Sequence, residues 1–154
     1  ELKRHLSLPS AVWDEERCAS MRFIAKSYQA KGNLFEARLW LYKAVAECPH
    51  VREPYLHLAR LGYLQNDWPL VYLMTEKALG ITRQSGSYLH ETESWGYSLY
   101  DLGAIAAYRL GLYQKSYDYA KTALEMAPDH ERLKNNLELI AEKLKPEEER
   151  PGDE

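Results

Sequence analysis

The sequence predicts an all-α fold, a right-handed α-solenoid of three helical hairpins closed by a C-terminal capping helix. Three observations carry that prediction. Gly32, Asn66 and Gly111 mark equivalent turns, the first step being 34 residues and the second 45, which is 34 with an insertion of 11. Each turn is preceded by a similar run: Met21-x-x-Ile24-Ala25-x-x-Tyr28, Tyr55-x-x-Leu58-Ala59-x-x-Gly62 and Tyr100-x-x-Gly103-Ala104-x-x-Ala107. Each turn is followed by a segment with a small residue early (Ala37, Val71, Ser116) and an alanine seven positions later (Ala44, Ala78, Ala123). Small side chains at fixed register let paired helices approach closely, while Tyr28, Trp40, Leu41, Tyr55, Leu58, Tyr100 and Tyr119 fill the space between hairpins.

The elements follow in order. Residues 1–12 read as the end of a second helix from a preceding repeat, broken at Ser7-Leu8-Pro9-Ser10. Trp13-Asp14-Glu15-Glu16 is expected as a short lead-in helix to a repeat domain spanning 13–145. Hairpin one covers about 18–51 and stops at Pro49, and hairpin two covers 52–83. Pro54 and Pro69 fall in first turns, where a missing N–H costs nothing, and Asp67 is placed to cap the second of these helices. The insertion occupies 84–96 and hairpin three about 97–128, ending at Pro128. Residues 129–145 form the capping helix, with Asp129 as its expected N-cap. Leu133, Leu137, Ile140 and Leu144 form one apolar stripe, with Glu131, Lys134, Asn135, Glu138, Glu142 and Lys143 facing water. The tail 146–154, with five acids and one base, reads as disordered.

Composition narrows the function. Hydrophobic residues make up 45%, with 12 Tyr and 4 Trp, which excludes general disorder. The net charge of −3 comes from the tail, leaving a near-neutral body that implies neither nucleic acid nor an anionic membrane as partner. No apolar run approaches the roughly 18 residues a membrane helix needs. Cys18 and Cys48 suit small packing positions in a reducing, cytoplasmic setting. The five histidines are isolated, and His90-Glu91-Thr92-Glu93 lacks the spacing that places two ligands on one helix face. Glycine-rich phosphate loops, nucleophile elbows and Asp-x-Asp pairs are missing. No catalytic, cofactor-binding or metal-ligating residue is assigned.

A 34-residue helix–turn–helix period resembles the tetratricopeptide repeat, or TPR, whose stacked first helices line a concave face. On that register the outward residues are Arg22, Lys26 and Gln29 from hairpin one, Leu56, Arg60 and Tyr63 from hairpin two, and Asp101, Ile105, Tyr108 and Arg109 from hairpin three. A basic stripe bordered by tyrosines suits an acidic peptide partner. In the insertion, Tyr88 and Trp95 are candidate docking residues, either plugging the groove or meeting a neighbouring domain; alternatively Trp95 packs on hairpin three as core.

Three stretches carry a narrower likeness: Trp13-Asp14-Glu15-Glu16 leading to Ile24-Ala25-Lys26-Ser27-Tyr28, Pro49-His50-Val51-Arg52-Glu53-Pro54-Tyr55, and Glu93-Ser94-Trp95-Gly96 leading to Tyr100-Asp101-Leu102. With Asp129-x-Glu131-Arg132-Leu133 they resemble the C-terminal repeat region of bacterial family-2 glycosyltransferases. That resemblance implies a non-catalytic accessory domain that positions an acceptor or partner, with the catalytic domain in the same polypeptide. The alternative is a free-standing adaptor for an acidic peptide. Chaperone-binding TPR domains hold a terminal carboxylate with a Lys/Asn/Asn/Lys/Arg clamp; the matching slots here hold Arg22, Lys26, His57, Ser98 and Leu102, so half the clamp is missing. Oligomeric state is not legible in the sequence.

Overall fold

The computed structural model describes residues 1–149, and all of its regular structure is helical. Helix α1 covers Leu2–Leu6. The three hairpins are α2 (Asp14–Ala30) with α3 (Leu34–Glu47), α4 (Glu53–Leu64) with α5 (Trp68–Leu79), and α6 (Ser98–Arg109) with α7 (Tyr113–Met126). Helix α8 (Glu131–Leu144) packs on α7, and each hairpin packs on the next through α3 against α4 and α5 against α6. The chain is therefore an α-solenoid, as its period requires.

The three turn residues do the same job by the same geometry. Gly32, Asn66 and Gly111 have φ of 75°, 53° and 76°, the left-handed conformation that ends a helix. In each turn the next N–H reaches back to a carbonyl five residues earlier: Asn33 to Tyr28 at 2.9 Å, Asp67 to Gly62 at 2.9 Å, and Leu112 to Ala107 at 2.8 Å. The second helix of each hairpin thus starts at a fixed angle. Asn33 and Asp67 cap α3 and α5 by accepting from the N–H groups of Glu36 and Leu70.

The core consists of the interlocking seams the repeat predicts. Ala37, Ala44, Val71, Ala78, Ser116 and Ala123 are all fully buried. Ser116 satisfies its hydroxyl by donating to the Ala104 carbonyl at 2.7 Å. Cys18 and Cys48 are buried free thiols beside Met21 and Val51. Burial pushes the Cys18 thiol up to about 12 and raises Cys48 as well, so both stay protonated packing groups.

Three boundaries differ from expectation. Residues 13–16 form no separate lead-in helix, because Asp14, Glu15 and Glu16 are the acidic first turn of a continuous α2. Asp129 is not the N-cap of α8; His130 takes that position, and no side chain caps the helix. In the acidic tail Glu147–Glu149 make one 3-10 turn, while 150–154 lie outside the described residues.

Gly103 lies at a close approach of α6 to α5 and α7. A Cβ there would lie 2.7 Å from Thr75 Cγ2 on α5 and 2.9 Å from Tyr119 Cδ2 on α7. Gly103→Ala is expected to lower stability by about 1–3 kcal/mol in urea denaturation, overpacking outweighing the roughly 1 kcal/mol gain in helix propensity.

Candidate functional site

The first helices α2, α4 and α6 lie side by side, and the insertion crosses the face they form. Its anchorage starts with the buried pair Arg52 and Glu53 at the entry to α4. Glu53, 1% exposed, accepts from His90 Nδ1 at 3.0 Å and from the Glu91 backbone N–H at 3.1 Å. Arg52 donates to the carbonyls of Ile81 and Ser94, and its guanidinium lies 3.7 Å from the centre of the Trp95 ring. These contacts turn 89–95 inward, with Thr92–Trp95 forming a single 3-10 turn.

Held in this way, the insertion presents its acids to the groove cations. Arg22 Nη1 donates to Glu91 Oε1 at 2.6 Å, and Arg22 Nη2 donates to the Leu89 carbonyl at 3.2 Å. His57 Nε2 lies 3.0 and 2.9 Å from the two Glu91 oxygens. Arg60 pairs with Glu93 at the exposed rim. Burial opposes ionisation of Glu91, but the hydrogen bond and charge of His57, with Arg22 and Lys26, hold its carboxyl down at about 2.

The residues read from sequence divide into three groups. Lys26, Gln29, Tyr63 and Arg109 are exposed, and Arg60, Ile105 and Tyr108 are partly so. Arg22 is not an open groove residue: it is 5% exposed because the insertion covers it. Leu56 is not one either; it is 0% exposed and packs in the seam between hairpins two and three with Tyr55, Leu99 and Leu102. Register assigned it outward, but α4 is the central first helix, hemmed in on both sides. Asp101 is taken by a bidentate pair with Arg132 of α8, at 3.0 and 2.7 Å. Of the docking residues, Tyr88 is 80% exposed against Trp13, while Trp95 turns inward over Arg52. Of the groups that seat the insertion, His57 was read only as a clamp-slot residue, and Glu53, Glu91 and Glu93 were given no role. Their signal was charge complementarity between the acids of the insertion and the bases of the concave register.

Two clusters have the composition of reactive sites. Ser85 Oγ lies 3.0 Å from His90 Nε2, and His90 Nδ1 contacts Glu53, the order of a serine–histidine–acid relay. However, His90 Nε2 is 2.6 Å from the Ser85 carbonyl, which can only accept, so that nitrogen carries a hydrogen. With both nitrogens donating, the ring is an imidazolium and lacks the lone pair a general base needs. Burial works against that charge, but Glu53 and the Ser85 carbonyl outweigh it and raise the His90 pKa. The Ser85 hydroxyl donates instead to Glu15 at 3.1 Å. Asp14, Cys48 and His50 also bring one ligating atom each within 4.8 Å. There the Cys48 sulfur is nearly equidistant from the two His50 nitrogens, at 3.8 and 3.4 Å, so neither lone pair points to a shared centre.

No protein-family model matches the chain, and no curated relative is found. Solved structures similar to it are TPR domains. The first TPR domain of Spaghetti (RPAP3), solved with the HSP90 peptide SRMEEVD, is 16% identical with a TM-score of 0.70, covering 84% of this chain and 94% of that one. The first TPR domain of human RPAP3 is 15% identical with a TM-score of 0.67, over 84% and 94%. The Arabidopsis OM64 TPR domain is 13% identical with a TM-score of 0.69, over 83% and 97%. At these identities the likeness establishes the fold: this chain has the TPR architecture.

The seated insertion predicts a pH response. Glu91 has a depressed folded pKa, so its contribution is complete above its ordinary value of 4.5 and is lost as pH falls toward about 2. His90 has a raised one, so its contribution is complete below 6.5 and is lost as pH rises through the folded value. Amide hydrogen exchange in 88–95, corrected for intrinsic rates, should be slowest between these limits, and Glu91→Gln should speed it at neutral pH. Protection that does not change from pH 7 to pH 3 would contradict the assignment.

Proposed function

We propose that the chain is a non-catalytic protein-interaction module that binds an acidic, extended peptide on its concave face. One observation supports this above all: carboxylates already sit on that face, with Glu91 on Arg22 and His57 and Glu93 on Arg60. Arg22 and His57 occupy two slots that match the chaperone-type clamp, so Glu91 takes the place a ligand carboxylate would have there. A similar TPR domain, RPAP3, has been solved with an acidic HSP90 peptide, which agrees with a groove of this character.

The insertion stays in place in this reading. Displacing it would strip the Glu53 carboxylate of both its partners, His90 and the Glu91 N–H, at a cost of about 3–5 kcal/mol for breaking a buried pair. The partner therefore uses the cations left accessible, Lys26, Arg60 and Arg109. Lys26 makes no ion pair among the described residues, and the Arg60–Glu93 pair is exposed and exchangeable.

The resemblance of Pro49-His50-Val51-Arg52-Glu53-Pro54 and its companion segments supports a second, narrower reading: accessory domain of a cytoplasmic bacterial glycosyltransferase, with an acceptor or subunit as partner. In the fold that segment is the anchor of the insertion. Among the described residues, no helix is long and apolar enough to cross a membrane.

Fluorescence anisotropy with a labelled glutamate-rich peptide tests the main reading. Binding should weaken about tenfold between 50 and 200 mM salt, and the double variant Lys26→Glu/Arg60→Glu should abolish it. Affinity unaffected by both changes would rule out the concave face.

A further inference from the structure

The repeat register shows that the open part of the groove has two unlike halves. Lys26, Arg60, Ile105 and Leu139 are equivalent positions, separated by 34 residues, by 45 (34 with the insertion of 11), and by 34. They form a row one helical turn beyond the row of Arg22, Leu56 and Asp101, in which Leu56 is buried and the two charges are taken by Glu91 and Arg132. The open row is thus cation, cation, apolar, apolar. At its apolar end Ile105, Tyr108 and Arg109 of α6 face Asn136, Leu139 and Ile140 of α8 around a pocket of about 280 Å³. Leu139 is 63% exposed at the rim, outside the stripe that packs α8 on α7. Leu139 and Ile105 face each other across the pocket and make its walls apolar. Arg109, stacked on Trp68, has no carboxylate partner among the described residues.

Building on the reading above, we infer that the partner is a bipartite peptide, an acidic stretch with one bulky apolar side chain that enters the pocket between α6 and α8. Its spacing follows from the fold. Neighbouring first helices lie about 8–10 Å apart, and an extended peptide rises about 3.3 Å per residue. From a pocket between α6 and α8, acids about four and seven residues from the apolar anchor therefore reach Arg60 and Lys26. The charge of Arg60 and Lys26 at one end and the apolar walls at the other match this partner and fix its direction across the groove.

The experiment uses fluorescein-labelled peptides with glutamates about four and seven residues from a single leucine, made in both orders, and controls with serine in place of leucine. In one order the leucine peptide should bind about tenfold more tightly than its serine control, the effect of burying one aliphatic side chain. Leu139→Asp, a change at an exposed site whose folding circular dichroism can verify, should erase that difference, its added charge weakening the leucine and serine peptides alike. Arg60→Glu should weaken both peptides. Equal affinity for leucine and serine peptides, or a difference that survives Leu139→Asp, would overturn the bipartite partner while leaving acidic-peptide binding intact. If the wild-type chain binds none of the peptides, the proposed function falls as well.

Discussion

The Glu53 carboxylate is the constraint around which the face formed by α2, α4 and α6 is organised. It is buried at the start of α4, and two groups from the insertion, the His90 ring and the Glu91 N–H, satisfy it. A buried carboxylate without such partners is costly, so the sequence that places Glu53 there requires the insertion to return to it. Once 90–91 are fixed, the Glu91 side chain has one place to go, between Arg22 and His57. Arg52, the neighbour of Glu53, closes the other end of the same loop through Ser94 and Trp95. Anchoring of the insertion and occupation of the groove are one event.

This arrangement changes what the concave face offers. A regular TPR array would expose successive rows of outward residues on its first helices. Here the row nearest the helix starts is spent internally, on Glu91 and on the Asp101–Arg132 pair. What remains is the row of Lys26, Arg60, Ile105 and Leu139, cationic at hairpins one and two and apolar where α6 meets α8, with Gln29, Tyr63 and Tyr108 a turn further on. The insertion, anchored on Glu53, covers the Arg22 end of this face.

The fold was largely legible because each turn advertises itself: Gly32, Asn66 and Gly111 are residues that tolerate positive φ, and their spacing is the period. The small residues at Ala37, Val71 and Ser116 were equally readable, since close helix approach admits little else. The site was legible only in part. Register placed Lys26, Arg60, Ile105 and Tyr108 outward, and in the fold Lys26 is exposed and the other three are partly so. It misplaced Leu56, because an outward position on a central helix can still be covered by its neighbours. It also left Arg22 open, because the path of an insertion is set by tertiary hydrogen bonds that no periodicity encodes. The aromatic residues of the insertion drew attention first, yet its acids make the contacts, and Tyr88 points to solvent.

The central claim is that Glu91 sits on Arg22 in the folded chain, and a double-mutant cycle measures it directly. Arg22→Met, Glu91→Gln and the combined variant would be compared with wild type by urea denaturation at neutral pH. The buried geometry predicts a coupling energy of about 1–3 kcal/mol, with the double variant far less destabilised than the sum of the singles. Additivity to within about 0.5 kcal/mol would mean that the insertion does not occupy the groove and that the concave face is open along its whole length.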